Sequence, residues 1–338
     1  MNNKRNTTLE FFKLFASYAV VFIHVMFNGN LGVATDAVAR FAVPLFFLTS
    51  GFFSYNITPE KITKRIKHIF KLLMFGTGCY FFFGLLQPII NGSLKDVALY
   101  LFDYVNPILA LRLLVFNKPV YSGHLWYLWA MLYVYVAFLL ATKRGIKEKT
   151  IFKASFILLA VHILLGEGLS VFGVTIPNMI IRNFAFMGLP FFGLGLFVKK
   201  HESKICRIPA LTAVPAVATG VVLSLLSRQF FGKNELYTGS LFIVFAAVIV
   251  FVKHPNLKPY SLWEKADGCS TYIYIFHKMV SSFIISVYCL CSVDYYASSP
   301  TLVNVHPLIV CAVTTVLAII AAKTEKSISA RKHKKSAE

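Results

Sequence analysis

The stretch LEFFKLFASYAVVFIHVMFN, residues Leu9 to Asn28, decides the fold. It is apolar enough to enter a bilayer, yet it carries Glu10, Lys13, Ser17, His24 and Asn28, spaced by three, four, seven and four residues. At about 100° per residue these positions share one stripe of a helix, with Phe and Val residues around the rest. Lys13 and His24 lie 11 residues apart, about 16 Å of rise at nearly the same azimuth. An ionisable group inside a membrane segment is costly unless it faces protein or water, so the stripe is a functional-site candidate. The basic start MNNKR and the small pair Val33-Ala34 imitate a cleaved leader. A leader's apolar run is normally uncharged, so Glu10 and Lys13 argue for an uncleaved first span.

Working outward, the whole chain has the composition of a membrane protein. Of its 338 residues 57% are hydrophobic and 14% charged, with a mean hydropathy of +0.68. Soluble domains carry about 25% charged residues. The fold class expected is all-α, a polytopic integral membrane protein of about ten transmembrane helices. Apolar runs near 11–28, 38–56, 69–90, 121–142, 151–166, 183–198, 208–226, 238–252, 270–290 and 305–322 supply them. Residues 1–325 form one transmembrane domain and 326–338 a basic tail, expected to be disordered beside anionic lipids. Residues 94–116 read as an amphipathic stretch interrupted by Asp103 and Pro107.

A net charge of +20 could suggest nucleic acid, but its distribution argues against that partner. With the amino terminus inside, 24 of the 34 Lys and Arg residues fall in inner loops and termini and only 7 in outer loops. That asymmetry predicts both termini in the cytoplasm and an even number of crossings. The densest cluster, KITKRIKHIFK at 61–71, reads as an inner loop and exceeds what topology alone demands. The six cysteines lack C-x-x-C spacing and metal-ligand neighbours, so they read as small buried hydrophobes and no disulfide is expected.

His24 is the strongest chemical candidate, because a neutral imidazole can take a proton from a hydroxyl near neutral pH. Glu10 and Lys13 form an ion pair at the start of the helix, and Lys13 can also meet an anionic substrate. Arg65 in the basic cluster suits phosphate recognition. His124, in the stretch YSGHLWYLWAMLYVY, stands beside the belt aromatics Trp126, Tyr127 and Trp129 and could bind a sugar hydroxyl. Ser270, Tyr274, His277 and Ser281 share a face of the ninth helix as a second polar stripe. Pro44 with Ser50 and Gly51 suggests a kinked second helix. No P-loop, zincin, nucleophile-elbow or dinucleotide motif occurs.

Taken together, these blocks resemble the membrane-bound acyltransferase-3 family, the integral-membrane O-acetylases of bacterial surface glycans. The signature of that family is a basic residue and a His with ten residues between them, usually Arg-x10-His, and Lys13-x10-His24 occupies it here. The likeness continues through VPLFFLTSGFF, the basic turn with Arg65, HLWYLWAMLYVY, RNFAFMGLPFFGLG and STYIYIFH, ending at His277. It implies transfer of an acyl group, commonly acetyl, from cytoplasmic acyl-coenzyme A to a hydroxyl of a surface or lipid-linked glycan. On that resemblance His24, Lys13 and Glu10 are the catalytic candidates. Arg65 and Lys13 would bind the donor, and His124, Trp126 and His277 the acceptor. The expected partners are acyl-coenzyme A, the glycan and membrane lipids, with no tightly bound cofactor, no metal and no nucleic acid, in the bacterial cytoplasmic membrane. The alternative is a polytopic glycan exporter without chemistry, which ten spans and a polar seam would also fit.

Overall fold

The computed structural model describes residues 6–90, 94–120, 122–256, 268–291 and 299–335. The residues 1–5 that precede the first span, and residues 257–265 of the inner loop expected at 253–265, lie outside the described residues. In chain order the helices are α1 (Thr7–His24), α2 (Gly29–Ala39), α3 (Ala42–Phe52), α4 (Pro59–Ile90), α5 (Leu94–Val105), α6 (Pro107–Phe116), α7 (Trp126–Lys143), α8 (Glu148–Ile163), α9 (Asn178–Ile181), α10 (Leu189–Lys200), α11 (Glu202–Ile205), α12 (Ala213–Phe231), α13 (Thr238–Lys253), α14 (Cys269–Leu290) and α15 (Pro300–Lys335). No strand occurs among the described residues.

The protein is an all-α polytopic membrane protein. Seven helical stretches are long and apolar enough to cross a bilayer, or eight if the bent pair α5–α6 counts as one span. Seven of the ten expected spans have such a counterpart. The first, sixth and eighth fall short, each for its own reason. The α1 segment is diluted by Glu10, Lys13 and His24. The sixth divides into a π-turn at Phe184–Gly188 and the 12-residue α10, and α13 has only 16 residues.

Four other expectations need correction. Asn28 leaves the first stripe, because α1 stops at His24 and Asn28 instead directly precedes α2. The second span is two helices rather than one kinked at Pro44: the break falls at Arg40–Phe41, and Pro44 sits in the first turn of α3, where its missing N–H costs nothing. Arg40, read as a loop charge, is buried and bonds Asp36 at 2.6 Å. The basic run 61–71 is helical, the opening turns of α4. That helix has 32 residues, about 48 Å, and therefore overruns a hydrocarbon core of about 30 Å. The tail likewise continues α15 to Lys335 instead of being disordered.

The chain divides into two compact units. One comprises Met1–Ala42, Ile205–Arg228 and Gly239–Glu338. In it α1 and α15 pack on α14, and α2 folds back on α1. The other comprises Val43–Lys204 and Gln229–Thr238, where α4 runs against α7 and α8 against α10. In each unit a glycine pair lets two helix backbones touch, the packing mode that replaces hydrophobic driving force in lipid. A methyl on Gly51 would lie 1.9 Å from the Phe192 carbonyl oxygen, and one on Gly195 1.9 Å from that of Leu48. Gly220 and Gly239 stand in the same relation between α12 and α13. Gly195→Ala is expected to lower the thermal midpoint in detergent, since such overpacking costs about 1–3 kcal/mol. An unchanged midpoint would mean that α3 and α10 lie farther apart.

Candidate functional site

The α1 helix is anchored at its start. The Asn6 carboxamide accepts from the Leu9 N–H at 2.8 Å and donates to the Phe251 carbonyl at 3.0 Å, while the Thr8 hydroxyl donates to the His254 carbonyl. Tyr18 bonds Thr315 of α15 at 2.8 Å. Phe11 and Phe15 point outward, whereas Leu9, Ala16, Ser17 and Val21 are fully buried. The polar stripe thus faces protein while the aromatic face suits lipid.

Along that stripe, Lys13 meets Glu10 at 3.2 Å, both about a quarter exposed. Ser17 is buried and donates to its own helix, at the Leu14 carbonyl. His24, the last residue of α1, is partly buried. Its ring lies 5.2 Å from that of His277, with the planes 31° apart. Sequence separation gave no hint of this encounter between the first helix and α14. His277 is wholly buried, and its Nδ1 sits 2.8 Å from the Tyr274 carbonyl and 3.2 Å from that of Ile273. Two carbonyl acceptors call for a hydrogen on Nδ1, leaving the lone pair on Nε2 and fixing the ring plane. Farther along α14, Ser281 bonds His306 at 3.0 Å, so that end of the second polar stripe packs against α15.

Arg65 belongs to the other unit. Its Nη1 donates to Ser54 Oγ at 2.7 Å and to the Tyr135 hydroxyl at 3.4 Å, and its Nη2 to the Phe53 carbonyl at 2.8 Å. The guanidinium therefore ties α4 to the end of α3 and to α7. Among the described residues three of its five N–H donors are engaged, and the other two could meet an anion.

His124 and Trp126 part company. His124 is buried edge-on against Tyr80, with ring centroids 4.8 Å apart. Trp126 instead lines a cavity of about 340 Å³ at the amino-terminal end of α7, together with Asn117, Lys118, Asn178 and Arg182. The Arg182 guanidinium stands 5.5 Å over the Trp126 ring and 3.5 Å from Glu235. Trp126 precedes Tyr135 by nine residues of α7, so this cavity and the Arg65 group are separated by about 14 Å of rise. The unit carries polar groups at two levels.

Sequence reasoning passed over Arg182, taken for a loop charge, although a lone Arg-Asn pair opening an apolar block was the signal. It also passed over Glu167, an acid within an apolar helix. Glu167 is buried in the π-turn Leu164–Gly168, where Oε2 accepts from the Thr238 N–H at 2.9 Å and from the Thr238 hydroxyl.

The sequence profile of the acyltransferase-3 family, described as an acyltransferase domain, matches residues 6–323. A protein named amino-acid racemase from Enterococcus faecalis is 25% identical over 313 residues, covering 84% of this chain and 42% of that protein. The chain thus spans less than half the length of that relative. No solved structure matches.

Proposed function

Because the chain belongs to the acyltransferase-3 family of membrane acyltransferases, we propose that it moves an acyl group, acetyl above all, from cytoplasmic acyl-coenzyme A to a hydroxyl of a surface or lipid-linked glycan. Bacterial plasma membrane is the location proposed with it. The observation that carries the reading is His24, at the family's signature position, seated against a second histidine.

On this reading His24 accepts the proton of the acceptor hydroxyl as its oxygen attacks the thioester carbonyl. Collapse of the tetrahedral intermediate breaks the C–S bond, and the departing coenzyme A thiolate takes that proton back. If His24 carries the acyl group first, an imidazole nitrogen attacks the same carbonyl and expels the thiolate, and the hydroxyl then attacks the acyl-imidazole, breaking its C–N bond while its proton passes to the thiolate. Both routes end in ester plus free thiol. Lys13 in one unit and Arg65 in the other are each a candidate contact for the donor's phosphates. Glu10 keeps Lys13 oriented.

The test is release of free coenzyme A by the purified protein given acetyl-coenzyme A and a glycan acceptor. Acceptor-dependent release supports the enzyme. No release, alongside vectorial movement of glycan in proteoliposomes, would replace it by the exporter. Within the same assay Lys13→Arg is expected to keep activity, whereas Lys13→Ala is expected to raise the KM for acetyl-coenzyme A about 10-fold, as the loss of one charge-assisted contact should. An unchanged KM in Lys13→Ala would remove Lys13 from the donor site.

A further inference from the structure

Sugar acceptors carry hydroxyls alike, so what distinguishes one glycan from another is its other substituents. The cavity beside Trp126 holds groups selective for one of them. Among the described residues its lining contains two cations, Lys118 and Arg182, and no carboxylate. Glu235 balances one of these charges at 3.5 Å, a long separation for an ion pair that leaves most of the Arg182 fork for another oxyanion. Trp126 offers an aromatic wall, with Phe116 and Met179 beside it.

A second observation points to a ligand. Asn117 lines the cavity, is fully buried and adopts a left-handed backbone at the end of α6 (φ 56°). Its Oδ1 accepts from the Phe184 N–H at 3.1 Å. Its Nδ2 is buried with no hydrogen-bond partner among the described residues. A buried amide donor left unmet is unfavourable, and a ligand oxygen in the cavity would offset it.

We infer that this cavity binds an acidic sugar unit, its carboxylate or phosphate held by Arg182 and Lys118, its ring against Trp126 and one oxygen accepting from Asn117. The volume, about 340 Å³, lies at the lower end of ligand sites and suits a single sugar residue rather than an oligosaccharide. This inference deepens the proposed function, and rests on it, by naming the acceptor as anionic.

The experiment is binding to the purified full chain in a neutral detergent, read by tryptophan fluorescence, with no acyl donor present. The probes are glucuronate, glucose 1-phosphate, glucose, inorganic phosphate and glycerol 3-phosphate. Saturable binding of glucuronate or glucose 1-phosphate, at least tenfold tighter than glucose or inorganic phosphate, is the expected result, and their ratio tells carboxylate from phosphate. Arg182→Gln is expected to weaken that binding about tenfold. Lys118→Gln, at an exposed position whose loss leaves the fold intact, is expected to weaken it several-fold. Glucose binding as tightly as glucuronate, glycerol 3-phosphate binding as tightly as either acidic sugar, or both variants binding like wild type would overturn the inference. Because no acyl transfer is read, a chain that binds acidic sugars yet releases no coenzyme A would defeat the proposed reaction alone. One that releases coenzyme A with neutral glycans and binds no acidic sugar would defeat this inference alone.

Discussion

His24→Ala loses acyl transfer, with turnover falling about 10²–10⁴-fold, the range over which a positioned general base acts. The fold should survive, because the hydrogen bonds that anchor α1 lie elsewhere along the helix. The helix is held by Asn6 and Thr8 at its start and by Tyr18 midway. His24 is its last residue, where truncation removes no helical hydrogen bond. Coenzyme A release and the thermal midpoint measured on one preparation separate the two effects. Lost activity with an unchanged midpoint places His24 at the chemistry. Full activity would remove it from the site, and parallel loss of both would make it structural.

Arg65→Ala produces the second large effect, and it has two parts. Truncation strips donors from Ser54 Oγ and the Phe53 carbonyl. Ser54 is fully buried, so part of the cost, about 1–3 kcal/mol, appears as lower stability. The other part is the donor's affinity: the KM for acyl-coenzyme A is expected to rise about tenfold or more, beyond what destabilisation explains. Arg65→Lys separates them. Its ammonium can meet Ser54 or Phe53 and regain stability, but it lacks the planar fork for a phosphate. Stability restored with KM still raised supports donor binding. A KM restored together with stability would reduce Arg65 to a brace between helices.

The long apolar helices were legible because a bilayer imposes one length and one polarity on every span. What the sequence hid was where the chain departs from that rule. Charge counting assigned Arg40 and Arg182 to loops, since an arginine between apolar runs has that meaning on average. The structure instead pairs Arg40 with Asp36, four residues earlier, and Arg182 with Glu235, a distant partner that no local pattern announces. The basic run with Arg65 looked like a loop because polarity, not helicity, is what ends a span, and α4 begins before its apolar part does. The stripe on α1 was legible by periodicity as far as His24, and failed at Asn28 because the helix had already ended. His24 and His277 were each visible as polar groups on apolar helices. Their contact was not, since 253 residues separate them and packing of α1 on α14 is a tertiary fact. Asn117 gave no signal at all: its role depends on a left-handed backbone and a buried amide.

The most direct measurement follows isotopically labelled acetyl-coenzyme A through the purified protein, reconstituted in liposomes with a glycan acceptor, and identifies the labelled product by mass spectrometry. An ester-linked labelled acetyl group on the glycan, formed by the wild type and absent with His24→Ala, is the predicted result. Unlabelled glycan with the thioester left intact, or labelling that persists undiminished in His24→Ala, would contradict it.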